Sequence, residues 1–119
     1  PGKITAVRFT DKMAAYMRMA DVFVTKPGGL STTEGAVLGV PMVHIMSIPG
    51  CETRNMRFFA QYGMSVPVKR IGMGLPNATD RLLSRAEAEK VTENQRKYIN
   101  SAAAADICRL AEKLINNGL

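Results

Sequence analysis

The sequence predicts an α/β fold: a parallel sheet of about four strands with flanking helices and a helical C-terminal tail. Three observations predict it. Short apolar runs alternate with segments of helical periodicity through the first half of the chain. Turn-forming glycine, proline or serine residues separate these segments. Two helical patterns, with no strand between them, finish the chain. Alternating strands and helices require parallel strands with helices on both faces of the sheet.

Four apolar runs are the predicted strands. Residues 4–9 are rich in β-branched and aromatic residues, and residues 22–25 follow the first helical segment. Residues 41–46 are apolar apart from His44, which is typical of a strand buried on both faces. Residues 64–68 include Pro67, which lacks a backbone donor, so we place this strand at or near an edge of the sheet.

Helical periodicity and end signals define the predicted helices, which cover residues 12–19, 32–38, 52–61, 78–83, 84–98 and 102–116. Thr10 or Asp11 is the expected N-cap of the first helix, and Gly39 closes the second. Ser84 begins a Ser-x-x-Glu capping box, and Ser101 is the expected cap of the last helix. Residues 69–77 contain two glycines and a proline and are predicted to form a loop. An apolar stripe runs along the last helix, formed by Ala103, Ile107, Leu110, Ala111 and Leu114.

Composition fits one soluble globular domain covering residues 1–119. The chain is 46% hydrophobic and 22% charged, and no apolar run approaches the ~20 residues of a membrane span. It begins at Pro1 without an initiator methionine, so we expect a processed product or a piece of a longer protein. Cys51 and Cys108 fit no metal-ligand spacing. We expect both to be free thiols in a reducing compartment, which favours the cytoplasm.

The net charge of +6 is compatible with nucleic acid, nucleotide phosphates or an anionic lipid surface. The four Phe and three Tyr residues, with no Trp, do not form an alternating stacking platform. We therefore expect no nucleic-acid partner.

Residues 26–34 form the strongest candidate site. An apolar strand leads into two adjacent glycines, Gly28 and Gly29, and a helix follows. Adjacent glycines let the backbone adopt conformations that other residues avoid and approach a ligand closely. The unpaired N–H groups and dipole of a helix N-terminus attract anions, and Lys26 adds a positive charge. The alternative is purely structural: Ser31 and Glu34 have capping-box spacing, which closes a helix without a ligand.

Two other turns are predicted at the same edge of the sheet. Ligands of such folds bind outside the carboxyl ends of the strands. Residues 9–10, 26–31 and 47–51 each follow a predicted strand, so all three turns are expected there. Their agreement favours a ligand over simple helix capping.

The order of these motifs resembles the C-terminal half of family 28 glycosyltransferases. The resemblance is closest to monogalactosyldiacylglycerol synthases and processive diacylglycerol glucosyltransferases, and the lipid-linked muramyl-peptide N-acetylglucosaminyltransferases are more distant. It covers residues 4–68 closely and the helical tail more loosely. It is carried by the segments Phe9-Thr10-Asp11-Lys12-Met13, Ala20-Asp21, Lys26-Pro27-Gly28-Gly29-Leu30-Ser31, Glu34, Gly39-Val40-Pro41, Ile48-Pro49-Gly50 and Glu52 to Asn55.

The resemblance implies a Rossmann-like C-terminal half of a GT-B fold, in which the donor site of a UDP-sugar faces a cleft between two halves. The implied activity is transfer of galactose or glucose to a lipid such as diacylglycerol, at the cytoplasmic face of a membrane. The N-terminal half, absent from this chain, would supply the acceptor site and the catalytic base, so the chain alone is expected to be inactive. No cofactor or metal is implied.

The resemblance also assigns roles to individual residues. Phe9, Thr10 and Met13 would lie near the uracil, and Glu34 would accept hydrogen bonds from the ribose hydroxyls. The diphosphate would be held by Gly28, Gly29, Leu30, Ser31 and Thr32. The phosphate and sugar would lie beside Pro49, Gly50, Cys51, Glu52 and Asn55.

Cys51 is the main departure from the family pattern, because many relatives have a sugar-contacting Gln there. A thiol is only a weak hydrogen-bonding group. This departure favours a second hypothesis, a non-catalytic module that binds a nucleotide sugar. A third is a structural or interaction domain whose glycine turn only begins a helix. His44, the only histidine, lies within a predicted strand and is expected to be packed in the core.

Overall fold

The computed structural model describes residues 2–118 as a three-layer α/β arrangement. Its elements in chain order are α1 (Met13–Met19), β1 (Phe23–Thr25), α2 (Gly29–Leu38), β2 (Met42–Ile45), α3 (Cys51–Gln61), β3 (Val66–Val68), α4 (Ile71–Leu83), α5 (Arg85–Tyr98) and α6 (Ala103–Asn116). The sheet has the order β1-β2-β3 and both pairings are parallel. The α/β fold with a parallel sheet, flanking helices and a C-terminal helix is thus confirmed.

Strand β2 is the centre of the sheet and separates two apolar clusters. Met42 packs with Ala36 of α2 and Phe59 of α3 on one face. Val43, the next residue, packs with Leu82 of α4 and Val91 of α5 on the other. Successive side chains of a strand point to opposite faces, so this short apolar strand joins both cores. Within residues 2–118, strand β3 pairs only with β2, which confirms the predicted edge position of Pro67.

The first predicted strand is not formed. Residues 4–9 have no strand partner among residues 2–118, and the side chains of Ile4 and Phe9 are 95% and 87% exposed. A strand needs a neighbour that accepts and donates its backbone hydrogen bonds, and β1 pairs on one side only, with β2. β-propensity alone therefore gave a wrong prediction for this segment.

The predicted loop at residues 69–77 is also wrong, because α4 begins at Ile71 and contains Pro76. Ala78 and Leu82 are buried against the sheet, and this burial stabilises the helix despite the missing donor of Pro76. A Cβ at Gly74 would lie 2.9 Å from Val68 Cγ1. Glycine at this position therefore allows the close approach of α4 to β3 and does not mark a loop.

The helix ends also differ from the predictions. The N-cap of α1 is Lys12, so the prediction of Thr10 or Asp11 is wrong, although Thr10 Oγ1 accepts a hydrogen bond from Lys12 N–H at 2.9 Å. Ser84 is the N-cap of α5, but no capping-box hydrogen bond forms, and α6 begins after Ala102 instead of Ser101. Gly39 closes α2 at φ 70°, as predicted.

Helix α6 has no buried residue, so the apolar stripe predicted along it is exposed. No helix among residues 2–118 is long and apolar enough to cross a bilayer.

Candidate functional site

Helix α2 begins inside the glycine turn, three residues earlier than predicted. Gly28 is its N-cap and Gly29 its first residue, so Ser31 lies within the helix and caps nothing. The capping-box alternative for Ser31 and Glu34 is therefore wrong. Thr32 N–H donates to Gly28 O at 3.1 Å, which leaves the N–H groups of Gly29, Leu30 and Ser31 without a partner among the described residues. Three free donors and the positive end of the helix dipole face the edge where β1 ends.

The two glycines do not adopt the unusual backbone conformations that the sequence suggested. Gly28 has φ −71° and ψ 149°, and Gly29 has ordinary helical geometry, so both conformations suit any residue. A Cβ added at either position would meet no atom within 4 Å. The turn is therefore distinguished by the open space around its main chain and not by a strained backbone. A ligand can therefore approach the main chain closely, which a side chain at either position would hinder.

A second helix N-terminus lies beside the first, because β1 and β2 are parallel neighbours. Helix α3 begins at Cys51, directly after Gly50. Gly50 has φ 110° and ψ −120°, a conformation open in practice to glycine alone. The turn of residues 46–50 and the glycine turn thus present two helix N-termini at one edge of the sheet. Pro49, Gly50 and Cys51 are exposed there.

Two side chains of α3 join the turns. Asn55 Nδ2 donates to the carbonyl oxygen of Pro27 at 3.0 Å. Glu52 Oε2 accepts from the N–H of Ile48 at 2.7 Å, and Glu52 Oε1 lies 3.8 Å from Lys26 Nζ. Since the Lys26 side chain is about half exposed, the ion pair contributes little stability, but it places both groups at the mouth of the site. The structure therefore brings together two of the three turns that the sequence predicted at this edge, whereas residues 9–10 follow no strand.

Phe9, Thr10 and Met13 line one open cleft of about 380 Å³, together with Val7, Arg8 and Tyr16. The lining is mainly apolar, and its polar residues are Arg8, Thr10 and Tyr16. Such a mixture accommodates a flat ring with polar edges. Arg8 and Tyr16 were not identified from the sequence. The spacing of Tyr16 one turn after Met13 was the available signal.

Glu34 is exposed on α2 and lines a second cleft of about 240 Å³ with Ala14, Val37 and Leu38. Ala14 is the neighbour of Met13 on α1, so α1 borders both the cleft of Phe9 and that of Glu34. Glu34 forms no ion pair among residues 2–118, and its carboxylate is open to an external hydrogen-bond donor.

Thr32 differs from the other predicted residues because its side chain is 1% exposed and points into the protein. Its Oγ1 lies 3.5 Å from Nε2 of His44 on β2. The other ring nitrogen of His44, Nδ1, lies 3.0 Å from Ser65 Oγ. Burial lowers the pKa of His44 to about 4, so the ring is neutral at pH 7. His44 is packed in the core, as predicted.

Ser65 was not identified from the sequence. Its signal was a single hydroxyl in the apolar run of residues 64–68, which matters only in combination with the mid-strand histidine. Among the described residues, no group of three or more His, Cys, Asp or Glu side chains is arranged to hold a metal ion.

The sequence of this chain is similar to those of known glycosyltransferases. Residues 2–110 match the glycosyltransferase family 28 C-terminal domain. A processive diacylglycerol beta-glucosyltransferase of Bacillus pumilus is 28% identical, over 98% of this chain and 32% of its own length. The UDP-N-acetylglucosamine–N-acetylmuramyl-(pentapeptide) pyrophosphoryl-undecaprenol N-acetylglucosamine transferase of Ralstonia nicotianae is 29% identical, over 91% of this chain and 32% of its own length.

The crystal structure of the glycotransferase of kitacinnamycin superimposes with a TM-score of 0.63 at 27% identity. The match covers 82% of this chain and 27% of that chain. The fold is thus that of part of a GT-B glycosyltransferase, and the chain spans about a third of the length of the curated relatives it matches.

Proposed function

Because the chain belongs to glycosyltransferase family 28 through that family's C-terminal domain, we propose that it binds the UDP-sugar donor of a hexosyltransferase. The single observation that carries this proposal is the edge where α2 and α3 begin. Free backbone N–H groups, two helix N-termini and an unobstructed main chain at Gly28 and Gly29 converge there. This is a favourable environment for a diphosphate.

The proposed chemistry is stabilisation of the leaving group. When the bond between the sugar and UDP breaks, negative charge develops on the diphosphate. Fixed N–H dipoles of Gly29, Leu30 and Ser31 stabilise that charge without having to reorient. The side chain of Thr32 is buried and faces His44, so it stabilises the turn and does not contact the ligand. Pro49, Gly50 and Cys51 border the place of the second phosphate and the sugar.

The nucleoside is assigned to the two clefts beside α1. The uracil occupies the cleft of Phe9, Thr10 and Met13, and Glu34 accepts hydrogen bonds from the ribose hydroxyls. A carboxylate that accepts two hydroxyl donors favours a nucleoside over a simple phosphate ester. Glu52 and Asn55 hold the turns together and lie at the sugar end of the site.

The sugar and acceptor are proposed by analogy with the relatives. A processive diacylglycerol beta-glucosyltransferase is among them, which supports glucose as the transferred hexose and a lipid such as diacylglycerol as the acceptor. Galactose is the alternative, from the resemblance to monogalactosyldiacylglycerol synthases. The acceptor site and catalytic base belong to a further, N-terminal part of a longer protein, because this chain spans about a third of such relatives. That protein acts in the cytoplasm at the membrane surface, where diacylglycerol resides.

The test is transfer by the full-length protein. It is incubated with diacylglycerol vesicles and, in parallel, with UDP-glucose, UDP-galactose or UDP-N-acetylglucosamine, and the glycolipid product is measured. Product from one of the first two donors supports the proposal. Product from UDP-N-acetylglucosamine alone would contradict the choice of hexose, and absence of product with every donor would contradict the activity.

Cys51 motivates a second candidate, a module that binds a nucleotide sugar without transferring it. Cys51 is exposed at the first position of α3, where a longer amide side chain would reach the sugar. On this alternative the full-length protein binds UDP but yields no glycolipid, whereas Cys51→Gln gains transfer. Any glycolipid formed by the unchanged protein rejects it.

A further inference from the structure

His44 contacts all three structural parts that meet beneath the donor edge. Its ring is fully buried on the central strand β2. Nε2 faces Thr32 Oγ1 in the first turn of α2, and Nδ1 faces Ser65 Oγ, directly before β3. The ring also meets Phe59 of α3 edge-on, with centroids 5.5 Å apart. No other polar side chain among residues 2–118 joins both α2 and the segment before β3.

Resting on the donor site proposed above, we propose that His44 is a positioning residue that aims the N-terminus of α2 at the diphosphate. It acts through its contact with the Thr32 hydroxyl. It touches no substrate itself, because its side chain is closed off from the surface.

Simple core filling does not explain this residue. Strand β2 is otherwise apolar, and a leucine or phenylalanine would fill the space without the cost of burying an imidazole. The ring instead has both nitrogens opposite hydroxyls, which is the arrangement that a buried histidine requires. A neutral imidazole donates from one nitrogen and accepts at the other, and each hydroxyl can take the complementary role. Each ring nitrogen therefore has a hydroxyl within hydrogen-bonding distance, at 3.0 Å for Ser65 and at the outer limit of 3.5 Å for Thr32.

Direction matters because a helix is free to rotate against an apolar surface more readily than against a fixed hydrogen bond. The Thr32 hydroxyl is three positions after the first residue of α2, so holding it sets the rotation of the first turn. The free N–H groups of Gly29, Leu30 and Ser31 lie in that same turn. Small changes in their direction alter binding of an anion, since hydrogen-bond strength falls steeply away from linearity.

The contact between Thr32 and His44 is also long, at 3.5 Å, whereas that between Ser65 and His44 is 3.0 Å. Hydrogen bonds that support a binding site often tighten only when the ligand is present. We therefore expect UDP to shorten the Thr32 contact and so to change the electronic state of the ring. This effect is visible in the ¹⁵N chemical shifts of the His44 imidazole, which report hydrogen bonding at each nitrogen.

The experiment compares two substitutions at one position in the full-length protein. Thr32→Val keeps the shape and removes the hydroxyl, whereas Thr32→Ser keeps the hydroxyl. Isothermal titration with UDP is expected to give about fivefold weaker binding for Thr32→Val and binding within about twofold of the unchanged protein for Thr32→Ser, since one hydrogen bond is at stake. Val91→Ala, in the apolar cluster on the opposite face of the sheet, controls for lost stability and is expected to bind UDP normally.

The outcomes separate this inference from the proposed function. If the unchanged protein does not bind UDP, the proposed function fails. If it binds UDP, but Thr32→Val and Thr32→Ser bind equally well, or the His44 ¹⁵N shifts do not move on addition of UDP, the positioning role is rejected while the donor site stands. A loss in Val91→Ala equal to that in Thr32→Val would assign the effect to stability and would likewise overturn the inference.

Discussion

Gly29→Ala tests whether Gly29 is needed for the backbone conformation of the turn or for the close approach of a ligand. Gly29 is the first residue of α2, its φ is not positive, and a Cβ would meet no atom within 4 Å. Alanine loses less chain entropy than glycine on folding and favours helical geometry. We therefore expect the variant to be more stable by about 0.5–1 kcal/mol, which raises the Tm.

The same methyl group lies where the diphosphate is proposed to approach the main chain. We expect UDP to bind about tenfold more weakly, because a Cβ there displaces the phosphate from the free N–H groups of α2, which corresponds to roughly 1.4 kcal/mol. The assays are thermal unfolding followed by circular dichroism and isothermal titration with UDP. A gain in stability combined with a loss of affinity is an outcome that damage to the fold does not produce.

Gly72→Ala is the matched control. Gly72 also lies in the first turn of a helix, α4, and a Cβ there would likewise meet no atom within 4 Å. It should raise stability similarly and leave UDP affinity unchanged. The reasoning is refuted if Gly29→Ala binds UDP as tightly as the unchanged protein, or if it is less stable, since the second result would show that Gly29 serves the backbone.

Three further substitutions test other parts of the site. The pKa of His44 is about 4 when the protein is folded and 6.5 when it is unfolded. Protonation of His44 therefore leaves the free energy of unfolding unchanged above pH 6.5 and lowers it as the pH falls toward 4. Between pH 7 and pH 5, His44 lowers the free energy of unfolding by about 2 kcal/mol. In urea unfolding, the free energy of unfolding of His44→Gln should therefore fall by about 2 kcal/mol less over this pH range, and an unchanged pH dependence would contradict this. Gly50→Ala should cost about 1–3 kcal/mol in urea unfolding, because φ 110° strains alanine, and an equally stable variant would show that the turn has another conformation. Glu34→Gln should weaken UDP binding several-fold but leave pyrophosphate binding unchanged, and equal losses for both ligands would remove Glu34 from the ribose.

Local patterns in the sequence were sufficient for the central part of the fold. Apolar runs bounded by turn residues predicted β1, β2 and β3, and Gly39 correctly marked the end of α2. These elements are short and have their end signals within a few residues. The two turns of the candidate site were found for the same reason, since each directly follows a strand.

The remaining elements depend on partners distant in the sequence. Residues 4–9 have the composition of a strand, but pairing is a property of two segments and no partner is present among residues 2–118. Gly74 and Pro76 resemble loop residues, whereas the packing of α4 against β3 explains the glycine and outweighs the proline. Capping-box spacing at Ser31 and Glu34 was misleading because the helix begins earlier, at Gly29.

The side-chain contacts beneath and between the turns of the site were the least predictable feature. His44 and Ser65 are 21 residues apart, and Asn55 reaches Pro27 across 28 residues. No local pattern links such pairs. Thr32 was correctly placed in the first turn after the glycines, but the sequence does not specify that its hydroxyl faces β2 and not the solvent.

Chemical-shift mapping of the ¹⁵N-labelled full-length protein with UDP tests the donor site most directly. The account predicts that the largest amide shifts occur at residues 28–34, where the free donors of α2 lie, and at Asn55, which joins α3 to the glycine turn. Smaller shifts are expected around the cleft of Phe9. No shift at residues 28–34 in millimolar UDP, or shifts confined to the opposite edge of the sheet, would contradict it.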